Sequence, residues 1–250
     1  MSEFRQQLKE YWRYTRSPFQ STVIVIPVIF LYEIGIFFFN RSDMLGLRNG
    51  ADVLLRYFFG MFGAYGFYAF AISLFVIILF VLWLEYTREG DFQLQPRFIG
   101  GMVLEGSIYG ALLFILISRF AAIELQTGTL LQVSVFQQVI LALGAGIYEE
   151  FVFRVLIISG VTLLLVNVAG WRRWGALIVA SLVSAIVFSA FHYIGYYGDV
   201  FQMRSFLLRA FAGVILSAMY ILRGFGVTVY AHIVYDLIII LFIARPVGGI

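Results

Sequence analysis

SVFQQVILALGAGIYEEFVFRVLII, residues 134–158, is apolar enough to cross a bilayer yet carries Glu149, Glu150 and Arg154 in its second half. A spanning helix takes about 20 mostly apolar residues, so the stretch reads as a membrane span with ionisable groups at depth. Such groups cost several kcal/mol unless they pair or face a wet cavity, which makes them functional candidates. Two further apolar stretches show the same conflict. One ends Phe188-Ser-Ala-Phe-His192, and the other holds His232-Ile-Val-Tyr-Asp236. These are the only 2 histidines in the 250 residues.

The composition agrees with a membrane protein. Hydrophobic residues make up 62% and charged residues 12%, and the mean hydropathy is +0.95. A soluble globule carries roughly 25% charge, so that class is excluded. With 0 cysteines, disulfides and thiolate metal sites are excluded as well. A scattered net charge of +3 suits loops beside anionic lipid headgroups and argues against a nucleic-acid partner.

Outward from the opening stretch, the pattern predicts an all-α, polytopic transmembrane helical bundle. It forms one integral-membrane domain over residues 1–250, with its motifs in 134–240. Residues 1–17 alternate Phe4, Leu8 and Trp12 with Arg5, Lys9, Arg13 and Arg16, the pattern of an interfacial amphipathic segment. About seven spans are expected, within a range of six to eight. They fall at roughly 19–39 (with a kink at Pro27), 58–84, 98–120, 134–158, 175–195, 203–222 and 226–243. A charged loop is expected over 40–56, close helix approach at Gly60, Gly63 and Gly66, and a break at Gly160 that leaves 161–168 short or re-entrant. Spans four, five and seven would line an intramembrane cavity. The Lys/Arg balance beside the spans places the N-terminus inside, and the expected location is a prokaryotic inner (plasma) membrane.

Residues four apart share a helix face, so Arg154 can pair with Glu150. Glu149 points about 100° away and is free for another task. A carboxylate beside an imidazole is a reasonable base for activating water, and His192 on the next full span supplies the imidazole. His232 and Asp236 also share a face, and His232 could donate to a developing oxyanion. Each motif taken singly also fits a buried, hydrogen-bonded packing element. Glu33, Glu105, Arg119 and Arg209 read as structural pairs or snorkelling ends.

The ordered set Glu149-Glu150-x-x-x-Arg154, Phe188-x-x-x-His192 and His232-x-x-x-Asp236 resembles the CPBP family of CAAX prenyl endopeptidases and Abi-type bacteriocin-processing intramembrane proteases. The resemblance implies a glutamic-type intramembrane endopeptidase. Glu149 and His192 would activate water, His232 with Asp236 would form the oxyanion site, and Glu150 with Arg154 would shape the cavity. The family often has Asn at the last position. An ionised Asp236 cannot donate to an oxyanion, so it must be protonated or else orient His232. Substrates of that family are prenylated tails, secreted peptides or membrane sorting tails. The expected partners are therefore membrane lipids and a peptide or protein substrate entering from the bilayer; oligomeric state is left open.

No cofactor is expected. The competing mechanism is zinc-dependent, with Glu149, His192, His232 and Asp236 as N and O ligands. Outside the enzymes, the same residues could serve a proton- or ion-coupled transporter or a silent immunity scaffold. Visible internal repeats, on which many transporter folds are built, are absent from the sequence.

Overall fold

The computed structural model describes residues 2–39, 48–63, 66–89, 94–120, 134–194 and 198–242. The loop charges Arg41, Asp43 and Arg245 lie outside them. Every regular element among the described residues is helical: α1 (Ser2–Thr15), α2 (Pro18–Phe39), α3 (Gly50–Gly60), α4 (Gly66–Glu89), α5 (Pro96–Phe120), α6 (Val135–Gly144), α7 (Ser159–Asn167), α8 (Arg173–Phe191), α9 (Met203–Arg223) and α10 (Phe225–Phe242). Between α6 and α7 the backbone winds as π-helix over Ala145–Glu149 and Phe151–Ile158.

Among the described residues, four helices are long and apolar enough to cross a membrane: Pro18–Phe38, Pro96–Phe120, Arg173–Phe191 and Met203–Arg223. Apolar stretches also run over Leu74–Thr87 within α4 and Phe225–Leu241 within α10. A polytopic helical bundle therefore stands. The apolar stretch 134–158 forms α6 and the π turns, and the winding continues into α7.

Two boundaries differ from expectation. Residues 50–60 were expected to be mostly loop running into a span over 58–84, but they form the separate helix α3. Asn49 caps its start, accepting from the Ala51 amide, and the acidic Asp52 in the first turn suits the positive end of the helix. The chain breaks after Met61 at Gly63, whose φ of +114° suits glycine. The expected break at Gly160 is absent, and helix continues through it to Asn167. A glycine with ordinary helical φ costs only about 1 kcal/mol relative to alanine, too little to stop a packed helix.

Close helix approach falls away from Gly60 and Gly63, while the surroundings of Gly66 lie outside what is described. Gly60 and Gly63 face open space, whereas Gly106 and Gly110 on α5 lie against the α10 backbone. A methyl group at Gly106 would stand 2.8 Å from the Val227 carbonyl oxygen. In lipid, association relies on such close packing because the surrounding tails are as apolar as the side chains. Gly146, in the first π segment, meets α10 at Val229 and Ile233 in the same way. The core joins Tyr32, Met102, Ile147, Tyr148, Phe153, Phe188, Val229 and Ile233. Ser184 ties α8 to the π segment by donating to the Phe153 carbonyl at 2.6 Å.

Helix α1 lies at the end where α5 begins and α9 hands over to α10. Tyr11 donates to Glu105 Oε2 at 2.6 Å. Burial, then the Glu105 carboxylate, raises the Tyr11 phenol above its ordinary pKa and keeps it a donor. Arg223 pairs with Glu105, donates to Thr15 Oγ1 at 2.9 Å and stacks 4.0 Å over Trp12. Glu105 is thus one of the structural pairs the sequence suggested. Gly224, with φ of +86°, makes the one-residue turn from α9 into α10.

Candidate active site

The three motifs come from the π segment, the end of α8 and the middle of α10, and they meet around one cavity of about 400 Å³. Glu149, Phe188, His192, His232 and Asp236 all line it. α6 with the π segment, α8 and α10 line it, joined by Asn49 before α3, Ile117 of α5 and Arg209 of α9. A larger cavity of about 1590 Å³ lies among α2, α3, α4 and the π segment. Its walls are mostly apolar, and none of the candidate residues lines it.

Glu149 and Glu150 are buried, as is Arg154, and the π winding sets their directions. Arg154 Nε lies 3.2 Å from Glu150 Oε2, the i, i+4 pair expected. The guanidinium also stands 4.6 Å over the Phe188 ring. Glu150 does a second job that the spacing does not show. Its other oxygen, Oε1, lies 2.6 Å from His232 Nδ1, so the carboxylate bridges Arg154 and His232. A carboxylate on Nδ1 holds the proton there and fixes the ring.

His232 Nε2 then faces the cavity, 4.0 Å from Glu149 Oε2 and 3.7 Å from Asp236 Oδ2. For Nε2 to donate to an oxyanion, His232 must carry protons on both nitrogens. Its ring lies among three carboxylates, which compensate an imidazolium charge in a low dielectric.

His192 is the C-cap residue of α8 and lies just past the helix end. Its Nδ1 is 2.9 Å from the Phe188 carbonyl oxygen. A carbonyl only accepts, so Nδ1 carries the proton and neutral His192 leaves the Nε2 lone pair free. Phe188 meets both imidazoles edge to face, at 4.9 Å from His192 and 6.0 Å from His232.

Asn49 is the residue that sequence reasoning missed. Its Nδ2 donates to Glu149 Oε1 at 2.9 Å, 100 positions away in the chain. Around it stands a charged cluster. Arg48 and Arg56 each pair with both Glu33 and Asp52. Tyr32 donates to Asp52 at 3.0 Å, and Tyr148 donates to Glu33 at 3.1 Å. Burial acts to lower the Arg48 pKa, but the Asp52 and Glu33 carboxylates outweigh it and raise it, so this cation stays charged. Glu33 is thus one of the expected structural pairs, as is Arg209, which pairs with Asp199 at the cavity rim. A helix-start signal was present in Asn49-Gly-Ala-Asp52. It could have placed the cap, though not its partner.

Among the described residues, no group of three or more His, Asp or Glu side chains is arranged to hold a metal ion.

Residues 131–238 match the family model Rce1-like, type II CAAX prenyl endopeptidase. The match contains all three motifs and agrees with the CPBP resemblance. Over that stretch the chain is similar to the CAAX-type membrane proteases. No curated protein and no solved structure matches the chain.

Proposed function

We propose that this protein is a glutamic-type intramembrane endopeptidase that hydrolyses a peptide bond of a substrate reaching the cavity from the bilayer. The observation that supports this reading best is the convergence of Glu149, His192, His232 and Asp236 on one cavity from three separate stretches of chain. Water bound between the Glu149 carboxylate and His192 Nε2 loses a proton to Glu149 as its oxygen attacks the scissile carbonyl carbon. The electron pair displaced onto the carbonyl oxygen is met by His232 Nε2–H, with Glu150 behind the ring. Collapse breaks the C–N bond, and the proton held by Glu149 passes to the leaving amine.

The reaction as written balances without a cofactor, and we propose a metal-free enzyme. Asp236 supports His232 or, when protonated, donates beside it. The substrate class we favour is a prenylated CAAX-type tail, with secreted peptides and membrane sorting tails tested alongside. The N-terminus is proposed to face the cytoplasm, in a prokaryotic inner membrane.

The test is proteolysis by purified protein in detergent or liposomes. Wild type and Glu149→Gln are compared on farnesylated and unprenylated C-terminal peptides and a transmembrane peptide library, with and without a strong chelator. The expected result is cleavage that is lost in the variant and unchanged by the chelator. Activity lost to chelator and restored by zinc would replace this mechanism with the metal-dependent one. No cleavage by well-folded protein would put the relay or scaffold readings in front, and ion flux would then be measured.

A further inference from the structure

The buried polar side chain that touches Glu149 lies outside all three motifs and outside the matched region. Asn49 is the N-cap of α3, with extended φ and ψ of −63° and 143°. Its Oδ1 accepts from the Ala51 amide at 2.8 Å. Its backbone N–H donates to the Tyr32 hydroxyl at 3.0 Å. The Ala51 contact fixes the side-chain orientation. Because the Ala51 N–H requires an acceptor, the oxygen must face the helix and the NH2 must face Glu149. A flipped amide would set donor against donor at the cap and acceptor against carboxylate at the site.

The support behind this residue is unusually complete. Tyr32, which accepts from the Asn49 backbone N–H, donates in turn to Asp52, and Asp52 is clamped by Arg48 and Arg56. The same cluster reaches Tyr148, the neighbour of Glu149, through Glu33. Gly50, the next residue, packs against the Phe191 ring, so that a methyl there would stand 3.3 Å from its edge. Phe191 directly precedes His192. The start of α3 therefore touches the chain beside both water-activating groups.

We infer that Asn49 is a positioning residue for Glu149: it occupies Oε1 with a fixed donor and so turns Oε2 into the cavity toward His232. The inference rests on Glu149 being the base, as proposed above. A carboxylate with one oxygen anchored loses rotamer freedom before the substrate arrives, which is the preorganisation that general-base geometry needs. The charged cluster then has a role beyond holding α3: it keeps the cap, and through it the carboxylate, in register.

Two substitutions separate this role from capping. Serine and aspartate are both good N-caps whose oxygen accepts from the helix, but serine is too short to reach Glu149 and aspartate offers no donor while ionised. The experiment measures kcat, KM and Tm for wild type, Asn49→Ser, Asn49→Asp and Glu149→Gln on a farnesylated peptide. In both Asn49 variants kcat is expected to fall about 10- to 100-fold, as for loss of a hydrogen bond to a charged group. KM should stay within about twofold, and Tm within about 2 °C in Asn49→Ser, where the cap is kept; Asn49→Asp sets a second carboxylate against buried Glu149 and should lower Tm as well. Wild-type kcat in Asn49→Ser, beside an inactive Glu149→Gln, would overturn the inference while leaving the glutamic reading intact. A parallel loss of Tm in both Asn49 variants would assign the residue to the fold alone. Full activity in Glu149→Gln would instead sink the glutamic reading itself.

Discussion

The Glu150 carboxylate reaches His232 Nδ1 at 2.6 Å across two helices while its second oxygen faces Arg154 at 3.2 Å. The second glutamate of the pair therefore joins the ion pair to the imidazole. Arg154 neutralises a carboxylate whose job is to orient a ring, and all three groups are buried.

Removing either end of that chain has different consequences. Arg154→Ala leaves Glu150 as a buried charge without its cation, at a cost of about 3–5 kcal/mol. A fall in Tm and in detergent-soluble yield is the expected outcome. Glu150→Gln combined with Arg154→Met removes both charges, so stability should largely return while turnover does not, because His232 has lost its carboxylate. Thermal melts and initial rates on the same preparations check both halves. Full turnover in the double variant would show that Glu150 serves the fold alone.

Glu149→Gln keeps the shape and leaves an amide oxygen for Asn49 to donate to, so the fold should hold and the Tm should match wild type. Turnover should fall by at least about 100-fold, the lower range of general-base contributions. His192→Ala should act similarly on kcat, since His192 sits at a helix end with one side-chain hydrogen bond, to its own helix. Wild-type rates in both variants would remove the proposed water-activating pair.

Asp236 stands 3.7 Å from His232 Nε2, beyond hydrogen-bond range. An amide at this position supplies a neutral donor of the same shape, whereas leucine supplies neither donor nor charge. Asp236→Asn is expected to keep kcat within about threefold of wild type and Asp236→Leu to lose at least about 100-fold. Steady-state kinetics on one peptide decide it. An inactive Asn variant would show that the carboxylate's charge is what His232 requires.

Much of this site is legible in the sequence for a physical reason. Ionisable residues stand out against an apolar background, so Glu149, Glu150, Arg154, His192, His232 and Asp236 announce themselves by their cost in lipid. The i, i+4 rule gives the Arg154–Glu150 pair from spacing alone. The rule does not give the His232–Glu150 contact or the Asn49–Glu149 contact, because each joins positions far apart in sequence. Nor is the π winding at 145–158 visible, since it changes the backbone without a residue signature; such turns recur at functional sites. Gly160 looked like a break and Gly106 and Gly110 drew no notice, yet only the partner helix decides which glycine is crowded.

That crowding yields the last prediction. Gly106 and Gly110 let α10 lie directly on α5, and α10 carries His232 and Asp236. A side chain at Gly110 would run into the Ala231 carbonyl oxygen, with Val234 Cβ at 3.0 Å from the added atom. Both obstacles flank His232 in sequence, and a backbone carbonyl cannot rotate away. Gly110→Val should therefore shift α10 outward and cost about 1–3 kcal/mol of stability through overpacking. Because the shift moves His232 off Glu150, kcat should fall even at temperatures where the variant is fully folded. Gly60→Val, at a glycine with nothing within 4 Å, is the matched control and should leave kcat unchanged. Equal kcat in the two variants, measured well below both melting temperatures, would show that the close seat of α10 on α5 does not set the position of His232.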